Sequence, residues 1–212
     1  MIRVTRETEP TILIRKGPTW TAALLNATTR EQERKAETKY RNKSIKNALI
    51  EMFQGKCAYC ESKIVHIDYG HIEHFKPKSL AKFRHLTFTW TNLFLACARC
   101  NGPEYKGVRF PEAAEGGPPI NPCDDIPEDH LEFVFDSKTR IATVTAKTER
   151  GRITRDLFGL NREDLRIHRS KFVEKLAVLY QFAATDDDAR ALMLQAQRDE
   201  EEYSAFARQF VI

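Results

Sequence analysis

CAYCESKIVHIDYGHIEHFKPKSLAKFRHLTFTWTNLFLACARCNGPEYKGVR, residues 57–109, is the stretch that decides how this chain is read. Two Cys-x-x-Cys pairs, Cys57/Cys60 and Cys97/Cys100, bracket 36 residues that contain His66, His71, His74, His85 and a Glu73-His74 dipeptide. Each Cys-x-x-Cys turn presents two thiolates with little strain, and two such turns complete the tetrahedron that zinc prefers. A site closed by four cysteines has no open position, so it contributes folding energy, on the order of 10–16 kcal/mol in comparable sites. The bracketed segment is longer than the spacing of short zinc fingers, which makes it an insert pinned at both ends. Cys123, alone in NPCDD, is assigned no role.

The net charge of +4 over 212 residues is too small to announce a nucleic-acid partner, but its placement says more. Residues 56–110 hold nine Lys/Arg against four Asp/Glu, whereas the rest of the chain carries 25 bases and 26 acids. The positive excess therefore falls in the cysteine-bracketed segment, where a phosphate backbone would be held. The opening MIRVTRETEPTILIRKG is charged throughout, and no run approaches the roughly 18 apolar residues of a membrane span. These features predict a cytoplasmic protein with no membrane contact, whose thiols bind metal rather than form disulfides.

Upstream of the knuckle, Pro10, Gly17 and Pro18 break residues 1–26 into an irregular segment, with Trp20, Leu24 and Leu25 docking on the body. A long helix is predicted from Thr28 or Thr29, ending in the stripe Ile45, Ala48, Leu49, Met52 and Phe53 with Gly55 as its stop. Pro77 disfavours helix at Lys76, which places Glu73-His74 in extended or turn backbone. Phe88, Trp90, Leu93, Phe94 and Leu95 supply the core beneath. Downstream, residues 111–130 read as a Pro/Gly-rich loop and LEFVFDSKTRIATVT as a hairpin. Two helices follow, one started by Asn161 and Asp164 and the other by Thr185-Asp186-Asp187-Asp188. The organisation expected is 1–56 leading segment and helix, 57–111 core, 112–160 loop and hairpin, and 161–212 terminal helices.

The core holds the groups that phosphodiester hydrolysis needs. His74 can serve as a base, since imidazole titrates close to working pH. Glu73 and Asn101 offer the hard oxygens that Mg²⁺ prefers. Asn92 can tie down the loop carrying His74, and Lys106, Lys76 and Arg109 can contact flanking phosphates. Each has a plainer alternative: His74 a structural histidine or a metal ligand paired with His71, Asn92 a turn former, Asn101 a cap, Glu73 a surface acid offsetting Lys76.

The order Cys-x-x-Cys, Ile72-Glu73-His74, Trp90-x-Asn92-Leu93, Cys-x-x-Cys-Asn101, Lys106 resembles the zinc-bearing HNH endonucleases. The fuller strings HIEHFKPKS, FTWTNLFLACARCNGPEYKGVRFP, INPCDD and LFGLNREDLRIHR are similar to one branch, the PtuB-like HNH subunit of Septu and retron-linked antiphage defence systems. The resemblance implies an α+β fold: a zinc-stabilised ββα-metal core with a hairpin and flanking N- and C-terminal helices. It implies that Glu73 helps hold the catalytic divalent ion, that His74 is the general base, that Asn92 is the middle asparagine and that Asn101 is the final metal-binding position. Here that last position is Asn rather than His, which favours Mg²⁺ or Mn²⁺ over a softer ion. It further implies a nucleic-acid substrate, with DNA favoured over RNA, and an ABC-type ATPase partner of the PtuA kind. The competing expectation is a non-catalytic zinc module that binds nucleic acid or a partner, which would have no use for Glu73-His74 aligned with Asn101.

Overall fold

Caps and apolar stripes explain the leading helices. A computed structural model describes residues 1–211, and these divide into two compact units. One comprises Val4–Cys57 and Ile64–Phe110; the other comprises Met1–Arg3, Ala58–Lys63 and the chain from Pro111 onward.

In the first unit, α1 (Thr11–Leu25) contradicts the irregular segment expected there. Leu13, Gly17, Trp20 and Leu24 fall on one face, and Trp20 meets Phe88 edge-on at 5.6 Å. Pro18 lies on the exposed outer face, where the carbonyl that loses its partner can be hydrated. Leu25 remains about half exposed (51%) instead of docking. The long helix expected next is broken. Thr29 caps α2 (Arg30–Glu37) through a capping box with Gln32, a 3₁₀ turn follows over Thr38–Arg41, and Asn42 caps α3 (Lys43–Met52) by accepting from Ser44 N. Asn42 is extended (φ −65°, ψ 136°), so one helix cannot run through it. The stripe on α3 buries Ile45, Leu49 and Met52, with Phe53 against Phe94 at 5.8 Å.

Two short strands, β1 (His71–His74) and β2 (Leu93–Ala96), pair antiparallel with His71 opposite Ala96 and His74 opposite Leu93. β2 is buried throughout and runs through Cys97 into α4 (Ala98–Asn101). Arg6 closes this core from the N-terminal side. Its guanidinium lies 4.6 Å from the Phe94 ring centre and donates to the Leu93 carbonyl at 2.8 Å and the Trp90 carbonyl at 3.1 Å.

The second unit is built on the hairpin. After α5 (Pro127–His130), β3 (Leu131–Asp136) and β4 (Ile141–Ala146) pair with Phe133 opposite Val144, both buried. α6 (Glu149–Leu157), unforeseen in the sequence, starts at Thr148, whose hydroxyl accepts from Gly151 N. A Cβ on Gly151 would stand 2.0 Å from the His130 carbonyl oxygen, so only glycine fits. α7 (Glu163–Tyr180) is preceded by Arg162, and Asn161 does not cap it. Instead the Asn161 amide pairs with the Val144 backbone, accepting at 2.9 Å and donating at 2.8 Å. Buried Arg169 ties this corner, donating to Leu160 O at 2.8 Å and Ala142 O at 2.7 Å. α8 (Asp187–Ala196) is capped by Asp186, which accepts from Ala189 N, and α9 (Ser204–Ala207) is separate, with left-handed Tyr203 (φ 52°) between them. The single last helix expected from Thr185-Asp186-Asp187-Asp188 onward is thereby split in two, and Leu192 is half exposed (50%). No described helix is long and apolar enough to cross a membrane.

Candidate active site

Strand alternation orients the central residues: His71 and Glu73 share one face of β1, Ile72 and His74 the other. The polypeptide leaves β1 at Pro77 and returns at Trp90. Asn92 ties that excursion to the strand pair. Its Oδ1 accepts from Lys76 N at 2.8 Å, and its Nδ2 donates to Lys76 O at 3.1 Å and Leu86 O at 3.2 Å.

His74 is buried, 5% exposed, and its Nε2 lies 3.0 Å from the Thr87 carbonyl oxygen. A carbonyl can only accept, so Nε2 carries the proton and Nδ1 is left with its lone pair. Tyr40, from the 3₁₀ turn, packs edge-on against the imidazole at 4.7 Å. Burial pushes the His74 pKa down to about 4, with the neighbouring Lys106 charge acting in the same direction and the Thr87 bond opposing. The ring is therefore a neutral base at working pH.

Glu73 is buried beside Lys106, whose ammonium stands 2.5 Å from Glu73 Oε1 and donates to the His74 carbonyl at 2.9 Å. Burial pushes the Glu73 carboxyl up, and Lys106 counteracts it. Lys106 is fully buried, so it is not placed as the flanking-phosphate contact expected of it. It neutralises Glu73 and holds the strand end carrying His74. Of the other two bases, Arg109 is exposed with Nη2 donating to Glu104 O, and the half-buried Lys76 reaches over the Phe83 ring at 5.8 Å. Removing Lys106 would leave a buried charge uncompensated. Lys106→Met is therefore expected to lower unfolding free energy by about 3 kcal/mol, read by urea denaturation. Lys106→Met combined with Glu73→Gln should recover part of that loss.

Cys57, Cys60, Cys97 and Cys100 bring their sulfurs within 4.8 Å of one another, and none of the five cysteines is in a disulfide. That spacing fits one tetrahedral ion with metal–sulfur bonds of about 2.3 Å. Cys97 Sγ also accepts from Cys100 N at 3.4 Å, which sets the start of α4. For a hard second cation, the donor chemistry fits in part. Glu73 Oε1 is a buried oxygen that makes no hydrogen bond of normal geometry despite its ion pair, and Asn101 is a partly exposed amide. The structure also brings in His71, whose Nδ1 lies 3.4 Å from Asn101 Nδ2. From the sequence His71 has no catalytic role but is, of His66, His71 and His85, the one expected to line the site; its position two residues before Glu73 on a strand places both on one face. His66 and His85 are exposed and join nothing in this cluster.

A paired strand ribbon leading into a short helix, held by two cysteine knuckles around a Glu-His dipeptide, defines an HNH-type ββα-metal domain. The HNH endonuclease family matches residues 57–107. Over a longer span, the chain is 31% identical to Septu protein PtuB of Bacillus mycoides (strain KBAB4), a match covering 83% of this chain and 68% of that relative. It is 35% identical to Septu protein PtuB of Bacillus thuringiensis over 57% of this chain and 42% of that relative. The chain belongs to the Septu PtuB family.

Proposed function

We propose that this protein is a metal-dependent endonuclease, the effector subunit of an antiphage defence complex. The observation that carries the reading is the fixed tautomer of His74: Nε2 is held by the Thr87 carbonyl, and burial keeps Nδ1 unprotonated. Nδ1 takes the proton of a water that attacks phosphorus in line with the leaving 3′ oxygen. Glu73 and Asn101, with His71 beside them, are the residues that would hold Mg²⁺ or Mn²⁺. Such an ion supplies Lewis-acid stabilisation of charge on the phosphoryl and leaving oxygens. Zinc in the four-cysteine cluster is structural, since four thiolates leave no position for substrate. Asn92 keeps the loop beyond His74 in register with the strands, so the base stays directed at its water.

DNA is the favoured substrate, with RNA as the alternative, and an ABC-type ATPase of the PtuA kind is the expected partner. Both follow from the family resemblance, as does a cytoplasmic location. Purified protein should nick supercoiled plasmid only with added Mg²⁺ or Mn²⁺, leaving 5′-phosphate and 3′-hydroxyl ends that DNA ligase reseals. Products that ligase cannot reseal would exclude this mechanism. Salt-sensitive binding with no cleavage under any divalent ion, with the ATPase present, would favour a non-catalytic zinc module.

A further inference from the structure

A cleft of about 360 Å³ opens beside Asn101 and His71, and part of its wall comes from outside the family-matched core: Tyr40, Arg41 and Lys46 line it together with Gly70, His71 and Asn101. Its volume lies in the range of small-ligand sites. The break between α2 and α3 creates this wall. With Asn42 extended and capping α3, the 3₁₀ turn presents Tyr40 and Arg41 towards β1 instead of continuing a helix past it. Tyr40 is anchored by its edge contact with His74, and Lys78 lies over its ring at 5.4 Å.

Arg41 is exposed and donates from Nε to the Tyr40 hydroxyl at 3.3 Å, and among the described residues no carboxylate pairs with it. Lys46 is half-buried and donates to the Gly70 carbonyl at 2.5 Å, two of its three donors remaining for other partners. Two cations therefore share a cleft with the metal-site candidates Asn101 and His71, while Lys106, one of the three bases the sequence offered for this role, is sequestered against Glu73. An arginine fork suits a phosphate, and an ammonium on a half-buried stem adds a second fixed charge.

We infer that this cleft is the subsite for the phosphate flanking the scissile bond, with Arg41 as its bidentate contact and Lys46 as its second cation. The inference rests on the reading of the chain as a nuclease, and it deepens that reading by placing substrate contacts in the N-terminal segment. Neither residue takes part in the chemical step; they raise local substrate occupancy and set its register.

Fluorescence anisotropy with labelled single-stranded DNA, duplex DNA and RNA of one sequence, without activating ion, tests it. Arg41→Gln with Lys46→Gln should weaken binding to the preferred probe about tenfold and flatten the salt slope by about two. Zinc content and melting temperature should stay unchanged, and KM should rise with kcat nearly constant. Arg41→Gln alone, at an exposed position, should remove about half of the slope change and guards against a folding defect in the pair. A folded double variant with wild-type affinity and slope overturns the assignment, even if the wild type cleaves. A wild type that shows no salt-dependent binding to any probe overturns it as well. If the wild type binds but never cleaves and the double variant binds more weakly, the subsite stands while the hydrolytic reading fails.

Discussion

His74→Ala is expected to abolish divalent-dependent nicking, with a loss of about 10²–10⁴-fold in rate, while leaving zinc content and secondary structure as in the wild type. The Nε2 bond to the Thr87 carbonyl leaves the His74 imidazole with its lone pair at Nδ1, and alanine leaves nothing in its place to take the proton. The bond from Nε2 to Thr87 and the contact with Tyr40 are lost too, so some destabilisation accompanies the change, and circular dichroism with metal analysis separates the two effects. Retained nicking in a folded variant would remove His74 from the mechanism. The pH profile tests the same residue independently. The active form is the unprotonated one, and burial favours it, so kcat should stay flat as pH falls from about 7 to 5, where an ordinary histidine base would already be failing. The same displacement has a cost in stability. The unfolded chain takes up a proton below about 6.5 that the folded chain refuses until about 4, so His74 makes the fold less stable as pH falls through that interval. An acid limb near 6.5 would mean that some other group supplies the base.

Cys100→Ser should be the most damaging single change to stability. Cys100 is fully buried, and its sulfur is one of four that converge on one point. Loss of a thiolate removes much of a contribution on the order of 10 kcal/mol, comparable with the whole stability of a typical domain. The variant is expected to be recovered unfolded or aggregated, with zinc well below one equivalent by mass spectrometry of metals. Cys123→Ser is the contrast: it lies outside the cluster and is partly exposed, and its effect should stay within about 1 kcal/mol. A folded, cooperative Cys100→Ser protein would show that the knuckles do not hold the core together.

The core was legible because its signals are short-range and chemical. Cysteine spacing implied convergence of the sulfurs, and Pro77 put Glu73-His74 in extended backbone, as β1 shows. The alternation of LEFVFDSKTRIATVT gave the hairpin directly. What escaped depends on contacts that no local pattern encodes. Pro18 reads as a breaker unless one knows that it faces outward while Leu13, Gly17 and Leu24 face in. Asn42 in a run of polar residues gave no warning of the helix break that sends Tyr40 to His74. Lys106 and Arg169 look like surface cations, and only the folded chain reveals that Lys106 is buried against Glu73 and the His74 carbonyl and Arg169 against the Leu160 and Ala142 carbonyls. His71 was legible as a residue lining the site, and the strand assignment adds that it shares a face with Glu73.

The docking of Arg6 on Phe94 and of Phe53 behind it carries a lesson for anyone trimming this protein. Residues 57–107 carry the family signature, yet their central aromatic ring is sheathed by side chains that come earlier in the chain. A fragment cut at the first knuckle would present that ring to solvent and would be expected to clump rather than cleave. Chimaeras between relatives should accordingly exchange the N-terminal segment and the β1–β2 ribbon as one cassette, arginine included.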